Sequence, residues 1–118
     1  MKFFSRKEFV CQHCGQDGIR SEIVDVLDKM REQCGFPFVI SSGYRCKDHP
    51  IEAAKSVPGA HVAGFAADIS VSGQQALAVI ASAMENGIER IGVNQKGSGR
   101  FIHVDCDPLR PSPAIWSY

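Results

Sequence analysis

The sequence lacks several features that would assign it to a specialised class of protein. Its 118 residues hold 13 basic and 13 acidic side chains, so the net charge is zero and no basic surface for nucleic acid is indicated. No apolar run approaches the roughly 20 residues of a membrane span. Charges interrupt residues 1–9 where a secretory signal would be apolar, which predicts cytoplasmic synthesis without a signal peptide. Because repeats and low-complexity tracts are also missing, we expect one domain over residues 1–118. We further expect a monomer that has neither nucleic acid nor a membrane as partner.

Cysteine is present in an odd number, five residues, which argues against a disulfide framework. Cys11 and Cys14 form a CxxC pair with His13 between them, and such a pair is half of a zinc-ribbon site. The sequence has no second CxxC, so Cys34 or Cys46 would have to complete a site in space. Three interpretations stay open at this point: packed or incidental thiols, a second structural metal, or a disulfide.

The hydrophobic pattern predicts an α+β fold, with helices packed against a small, mostly antiparallel sheet. Apolar residues recur at helical spacing over residues 20–34, with Ser21 as the expected N-cap and Gly35 as the stop. A second helix is expected to begin at Gly73. The proline-interrupted tail, residues 111–118, is expected to lie on the surface. Strands are predicted at residues 36–41, 66–71, 88–93 and 100–106, with the last two forming a hairpin.

Two histidines, His61 and His103, lie in segments whose carboxylates could join them in one site. His61 precedes Asp68 by seven residues, and His103 is followed two positions later by Asp105 in a predicted strand, so these two side chains share a face. Asp68 opens a strand among small apolar residues, where an unpaired carboxylate would be costly. Two imidazoles and one carboxylate can hold a catalytic zinc ion and leave a fourth position for water. The residue types alone also allow ordinary roles, as loop caps or a hydrogen-bonded core histidine.

Three segments resemble, in the same order, motifs of the zinc D-Ala-D-Ala carboxypeptidase family, the M15 peptidases. Residues 61–68 match the pattern HxxGxAxD, residues 42–45 read SGYR, and residues 101–105, FIHVD, are similar to the strand that carries the last zinc histidine. The opening, from Phe4 to Gly15, resembles the amino-terminal part of small phage and prophage members. The resemblance covers nearly the whole chain and implies an α+β fold like that of the hedgehog domain and the DD-peptidases.

The resemblance also implies the site residues. It makes His61, Asp68 and His103 the ligands of one Zn²⁺ per chain, and it implies that Arg45 binds a carboxylate or carbonyl oxygen of a peptide substrate. Many members of the family carry an acid three residues before the last histidine, where this chain has an arginine. Asp105 is the expected replacement as the catalytic general base, and the alternative is that it orients a zinc ligand.

The reaction implied by the resemblance is zinc-assisted hydrolysis of peptide bonds in bacterial peptidoglycan, with the stem peptide as partner. Cleavage of a terminal D-Ala-D-Ala bond (carboxypeptidase) and cleavage within a stem or cross-link (endopeptidase) both fit. Synthesis without a signal peptide suits a phage or prophage lysis enzyme that acts on the wall after release or as a virion component. The alternative is a non-catalytic zinc module that binds a peptide or the wall. The hedgehog signalling domain, which has a similar zinc site, illustrates such a module. Arg100, which stands where many family members carry an acid, motivates this alternative.

Overall fold

A computed structural model describes residues 2–55 and 59–118, and within these ranges the chain forms a 3-10 helix, four α-helices and five strands. The 3-10 helix is Arg6–Phe9. The α-helices are α1 (Ser21–Cys34), α2 (Pro50–Ala53), α3 (Ala60–Ala63) and α4 (Gly73–Glu85). The strands are β1 (Ile40–Ser42), β2 (Ala66–Ile69), β3 (Arg90–Asn94), β4 (Phe101–Asp105) and β5 (Ala114–Ser117).

The strands form one sheet in the order β1-β2-β4-β3-β5. All neighbouring pairs are antiparallel except β3 and β5, which are parallel. Strands β3 and β4 form the predicted hairpin. The predicted α+β class and the mostly antiparallel sheet are confirmed. No helix in the part of the chain that the structure describes is long and apolar enough to cross a membrane.

The two faces of the sheet have different environments, because side chains alternate along each strand. Ala67, Ile69, Ile102 and Val104 are fully buried in the hydrophobic core together with apolar residues of α1 and α4. Burial of each large apolar side chain contributes about 1.5–3 kcal/mol, so the core face fixes the register of β2 and β4. The intervening residues of both strands therefore lie on the opposite face.

Helix α1 matches its prediction except at its first residue. The helix begins at Ser21, and Arg20 occupies the N-cap position without a side-chain cap. The expectation of Ser21 as N-cap is therefore wrong by one residue, since the backbone turns into the helix one position earlier. Gly35 ends the helix in a left-handed conformation, with φ +76°, as predicted. The helix from Gly73 is also confirmed.

One strand prediction and the prediction for the tail need correction. Strand β1 is only Ile40–Ser42, because Pro37 lacks an N–H for the ladder and Phe36 and Phe38 pack ring against ring, with centroids 5.5 Å apart. The tail is a surface segment, but it also forms β5. This strand adds to the exposed edge of β3 and begins where the Ala114 N–H donates to the Glu89 carbonyl at 2.8 Å.

Candidate metal centre and cleft

One row of side chains crosses the sheet on the face opposite the core. Asp68 in β2 pairs with His103 in β4, His103 pairs with Gly92 in β3, and Gly92 pairs with Trp116 in β5. Residues in register on neighbouring strands have side chains close enough to interact directly. The sheet therefore brings two sequence-predicted metal ligands together and places an aromatic side chain beside them.

His61 reaches this row from the short helix α3, which precedes β2. Gly64 ends α3 with φ +83°, and a Cβ at this position would collide with the carbonyl oxygen of Gly18. A glycine is thus required for the tight turn between His61 and Asp68. Nδ1 of His61 lies 2.7 Å from the carbonyl oxygen of Gly43. Because a carbonyl only accepts, Nδ1 carries the proton and donates it, and Nε2 is left to face the sheet.

Three ligand atoms converge at this point. Oδ1 of Asp68 lies 3.3 Å from Nε2 of His61 and 2.9 Å from Nδ1 of His103. The three atoms are all within 4.8 Å of one another, and the three side chains are buried. Ligands of a tetrahedral zinc ion with bonds of about 2.0–2.1 Å are about 3.3 Å apart, so the separations fit such an ion. Two imidazole nitrogens and one carboxylate oxygen that converge on one point form a donor set that suits a metal ion.

The pKa values of Asp68 and His103 also follow from the convergence of these side chains. Burial by itself raises the pKa of Asp68, but hydrogen bonds from His103 and His61 outweigh burial and lower it well below the usual range. Burial lowers the pKa of the His103 imidazole, but its hydrogen bonds to Asp105 and Asp68 outweigh that effect and raise it. The cluster thus favours a positive charge beside Asp68, and a proton and a metal ion compete for this position.

Asp105 lies on the side of His103 away from the three converging atoms. Its Oδ2 accepts from Nε2 of His103 at 2.6 Å, and its Oδ1 accepts from Nε of Arg90 at 2.7 Å and from the Asp107 N–H at 3.3 Å. Burial raises its pKa, but these interactions with His103 and Arg90 outweigh burial and lower it. The hydrogen bond to Nε2 leaves Nδ1 of His103 to face Asp68.

Arg45 lies at the other side of Asp68. Its Nη2 donates to Oδ2 of Asp68 at 3.4 Å, its Nη1 donates to Glu52 at 3.1 Å, and its Nε donates to Ser42 at 3.1 Å. These contacts use three of the five N–H groups of a guanidinium. Arg45 also lines the cleft beside the three converging atoms, so the SGYR motif and the HxxGxAxD motif meet in space.

The cleft has a volume of about 510 Å³, and the carboxyl-terminal residues form one of its walls. The indole of Trp116 lies 5.2 Å from the His103 ring, and the guanidinium of Arg90 lies 5.0 Å above the same indole. Tyr118 packs against Phe101 with ring centroids 5.0 Å apart. Sequence reasoning did not assign Trp116 and Tyr118 to the site. The alternation of the two aromatic residues in the tail is the signal that could have indicated a strand with one face on the cleft.

Glu52 is a second residue that sequence reasoning missed. It lies in α2 and is buried, with its carboxylate bound to the Gly59 N–H at 2.9 Å and to Lys55 and Arg45 at 3.1 Å. Burial raises its pKa, but these hydrogen bonds outweigh burial and lower the pKa from 4.5 to about 2. The carboxylate thus holds Arg45 beside Asp68. No motif in the sequence marks it.

The comparison with protein families gives one match. A model of the Peptidase M15 family matches residues 2–105. The matched region contains every side chain of the converging cluster and Arg45, and it ends before β5. No match was found among curated proteins.

Proposed function

Because this chain belongs to the M15 peptidase family, we propose that it is a zinc-dependent peptidase acting on the peptide part of bacterial peptidoglycan. The convergence of His61 Nε2, Asp68 Oδ1 and His103 Nδ1 in the cleft is the observation that carries the proposal. Family membership supports the metal dependence and the peptidase class, and the donor set supports zinc.

Zinc held by these three side chains would supply a bound water of lowered pKa and polarise the scissile carbonyl. The protein's own contribution is to fix the ligands. The Gly43 carbonyl binds one nitrogen of His61, and Asp105 binds one nitrogen of His103, so that the remaining nitrogens face the same point. Such hydrogen bonds hold the tautomer and ring orientation that metal binding needs.

The charges that line the cleft support an acidic peptide as substrate. Four cationic side chains line it, Arg45, Lys55, Arg90 and Arg110, against two carboxylates, Asp68 and Asp105. We propose that Arg45, already ordered by Glu52 and Asp68, directs its remaining N–H groups to a carboxylate or carbonyl oxygen of the substrate. Peptidoglycan stem peptides carry free carboxylates and fit this chemistry.

We assign Asp105 an orienting role rather than that of general base. Its Oδ2 accepts from His103, its Oδ1 accepts from Arg90, and its side chain is fully buried. A general base must reach the water that is bound on the other side of the His103 ring. Asp105 instead stabilises the imidazole that would bind the metal.

The geometry also favours a second candidate function, a module that binds metal and peptide without cleaving it. Among the described residues that line the cleft, the carboxylates are Asp68 and Asp105, and both have the partners given above. Arg100, at the position where many family members carry an acid, is exposed and donates to the Gly97 carbonyl at 2.9 Å. An assay of hydrolysis separates the two functions.

The experiment is incubation of the purified, zinc-loaded protein with soluble peptidoglycan fragments, followed by mass spectrometry of the products. Loss of a terminal alanine identifies a carboxypeptidase, and separation of cross-linked stems identifies an endopeptidase. His61→Ala is expected to lower the rate by more than about 100-fold. His49→Ala is the matched control, because His49 caps α2 through Nδ1 and does not line the cleft. Zinc-loaded wild type that binds the fragments but releases no product would establish the binding module instead.

We further propose lysis by a phage or prophage as the setting, with the protein acting on the wall after release or as a virion component. A lysis enzyme must cut the cell wall, and the stem peptide proposed above as substrate is part of that wall. Added protein should then lower the turbidity of bacteria whose outer barrier has been permeabilised, and His61→Ala should not. If the enzyme cleaves soluble fragments but the turbidity of the bacteria stays constant, the lytic role is wrong and the peptidase activity still stands.

A further inference from the structure

The structure brings together three cysteines that lie outside the cleft. Cys11 and Cys14 follow the 3-10 helix, and Cys46 comes directly after Arg45. Their Sγ atoms all lie within 4.8 Å of one another, and Nδ1 of His13 lies 3.5 Å from Sγ of Cys46. Of the two partners that the sequence suggested for the CxxC pair, Cys46 therefore joins it. Cys34 instead lies near α4, with Sγ 3.6 Å from the Ala78 carbonyl.

The backbone around the pair has the form of a metal-binding turn. The Gly15 N–H donates to the Cys11 carbonyl at 2.7 Å, and Gly15 has φ +76°, so the chain reverses directly after Cys14. The Cys46 N–H donates to Sγ of Cys11 at 3.3 Å, and the His13 and Cys14 N–H groups are directed at the same sulfur. Backbone N–H groups directed at one sulfur stabilise a thiolate, which is the form that binds a metal.

We propose that Cys11, Cys14 and Cys46 bind a structural Zn²⁺, with His13 as the fourth ligand. Three thiolates and one imidazole are a common donor set of closed, four-coordinate structural zinc sites. Tetrahedral bonds of about 2.3 Å place sulfur ligands about 3.8 Å apart, which agrees with the observed cluster. On binding, the thiol protons pass to solvent, and no oxidant is involved.

This metal would connect the amino-terminal segment to the loop that supports the catalytic cleft. The Tyr44 N–H donates to the Phe9 carbonyl at 2.8 Å, and a Cβ on Gly43 would lie 2.7 Å from the Phe9 Cα. The same loop supplies the Gly43 carbonyl that binds His61, and it carries Arg45. The zinc ion would thus hold in place the loop that orients one ligand of the first metal centre.

Cobalt substitution tests the proposal under reducing conditions. Thiolates bound to Co²⁺ give a charge-transfer absorption in the near ultraviolet, and the His61, Asp68 and His103 centre has no sulfur ligand. We expect this absorption in the cobalt-loaded wild type and in His61→Ala. We expect the absorption to be lost or clearly reduced in Cys14→Ser. The Cys14 side chain is exposed, so this substitution perturbs packing little. Cys34→Ser is the matched control and should keep the full absorption.

Thiol alkylation of the wild type and zinc content provide a second test. Zinc should protect Cys11, Cys14 and Cys46 of the wild type from alkylation, as mapped by mass spectrometry, and leave Cys34 reactive. Elemental analysis should give about two zinc ions per chain in the wild type and about one in both His61→Ala and Cys14→Ser. Cobalt-loaded wild type without charge-transfer absorption, or thiols equally reactive with and without zinc, would overturn the thiolate site. Either result would leave the proposed peptidase function intact, because that function depends on the other centre.

Discussion

At the scale of single residues, the candidate centre depends on which nitrogen of each histidine the protein itself binds. Gly43 binds Nδ1 of His61, whereas Asp105 binds Nε2 of His103. The sequence motifs identified the histidines and Asp68 as a group. The motifs could not predict which ring nitrogen of each histidine would face the metal, because that choice depends on a loop carbonyl and on the ring orientation in the folded chain. The same limit left open whether Asp105 is a base or an orienting group.

Asp105→Asn distinguishes these two roles. We expect the zinc dissociation constant to rise by about 10–100-fold, because the amide is a weaker acceptor for the His103 N–H. At saturating zinc, kcat should stay within about threefold of the wild-type value and keep the same pH profile. Competition with a chelating dye gives the affinity, and fragment hydrolysis over a range of pH gives the rate.

Asp107→Asn is the control for this experiment. Its carboxylate is buried two residues further on, but it accepts from the Leu109 N–H at 3.0 Å and does not contact His103. A general-base role for Asp105 would show itself as the opposite pattern: unchanged zinc affinity, and a rate that collapses at all zinc concentrations with the acidic limb of the pH profile lost.

At the scale of elements, the strands that form the cleft differ in how well they can be predicted from the sequence. Strands β2, β3 and β4 could be predicted because their apolar residues fill one buried face. Strand β5 could not, because its pairing uses the free edge of β3, and that edge exists only after the β3–β4 hairpin has formed. Ile115, which pairs with the core residue Ile91, is 73% exposed, so β5 adds no buried side chain to the core. The alternation of Trp116 and Tyr118 is the signal that the sequence offers for this strand.

Gly92 allows β5 to place Trp116 against His103. A Cβ at Gly92 would lie 2.6 Å from Nε1 of Trp116, so Gly92→Ala must displace the indole. We expect the variant to lose the contacts of this ring with His103 and Arg90, which are worth about 1 kcal/mol. Zinc affinity should therefore fall about fivefold. Trp116 is the single tryptophan of the sequence, so its fluorescence reports the displacement directly.

Gly99→Ala is the matched control, because a Cβ there meets no atom within 4 Å. It should keep the wild-type fluorescence spectrum and zinc affinity. If Gly92→Ala shifts the fluorescence but leaves zinc affinity unchanged, Trp116 is only a wall of the cleft and does not support His103.

At the scale of the whole molecule, the pH dependence of stability is expected to come from a few buried carboxylates. The 13 basic and 13 acidic side chains cancel, so net charge contributes little near neutrality. Glu52, Asp68 and Asp105 all have lowered pKa values, because hydrogen bonds to their charged forms outweigh burial. A carboxyl group whose folded pKa lies below its unfolded pKa stabilises the fold above the unfolded value. Acidification below about pH 5, where these carboxyl groups begin to be protonated in the unfolded chain, is therefore expected to destabilise this protein.

Glu52→Gln tests this expectation at a carboxylate that is not a proposed metal ligand. The folded pKa of Glu52 is about 2, against 4.5 as the ordinary value. Its stabilising contribution is thus complete above about pH 5 and is lost as the pH falls towards 2. We expect the variant to be about 2 kcal/mol less stable than wild type at pH 7, because a neutral amide binds Arg45 and Lys55 more weakly. The difference should shrink steadily below pH 5.

The measurement is the free energy of unfolding in urea at several pH values between 7 and 3, with chelator present in all samples so that metal binding does not add its own pH dependence. Glu32→Gln is the matched control, since Glu32 forms an exposed ion pair with Lys2 at 2.7 Å. Such a pair is worth less than about 1 kcal/mol, so this variant should stay close to wild type throughout. A Glu52→Gln deficit that persists unchanged at pH 3 would mean that packing, and not the charge of Glu52, holds Arg45 and α2 in place.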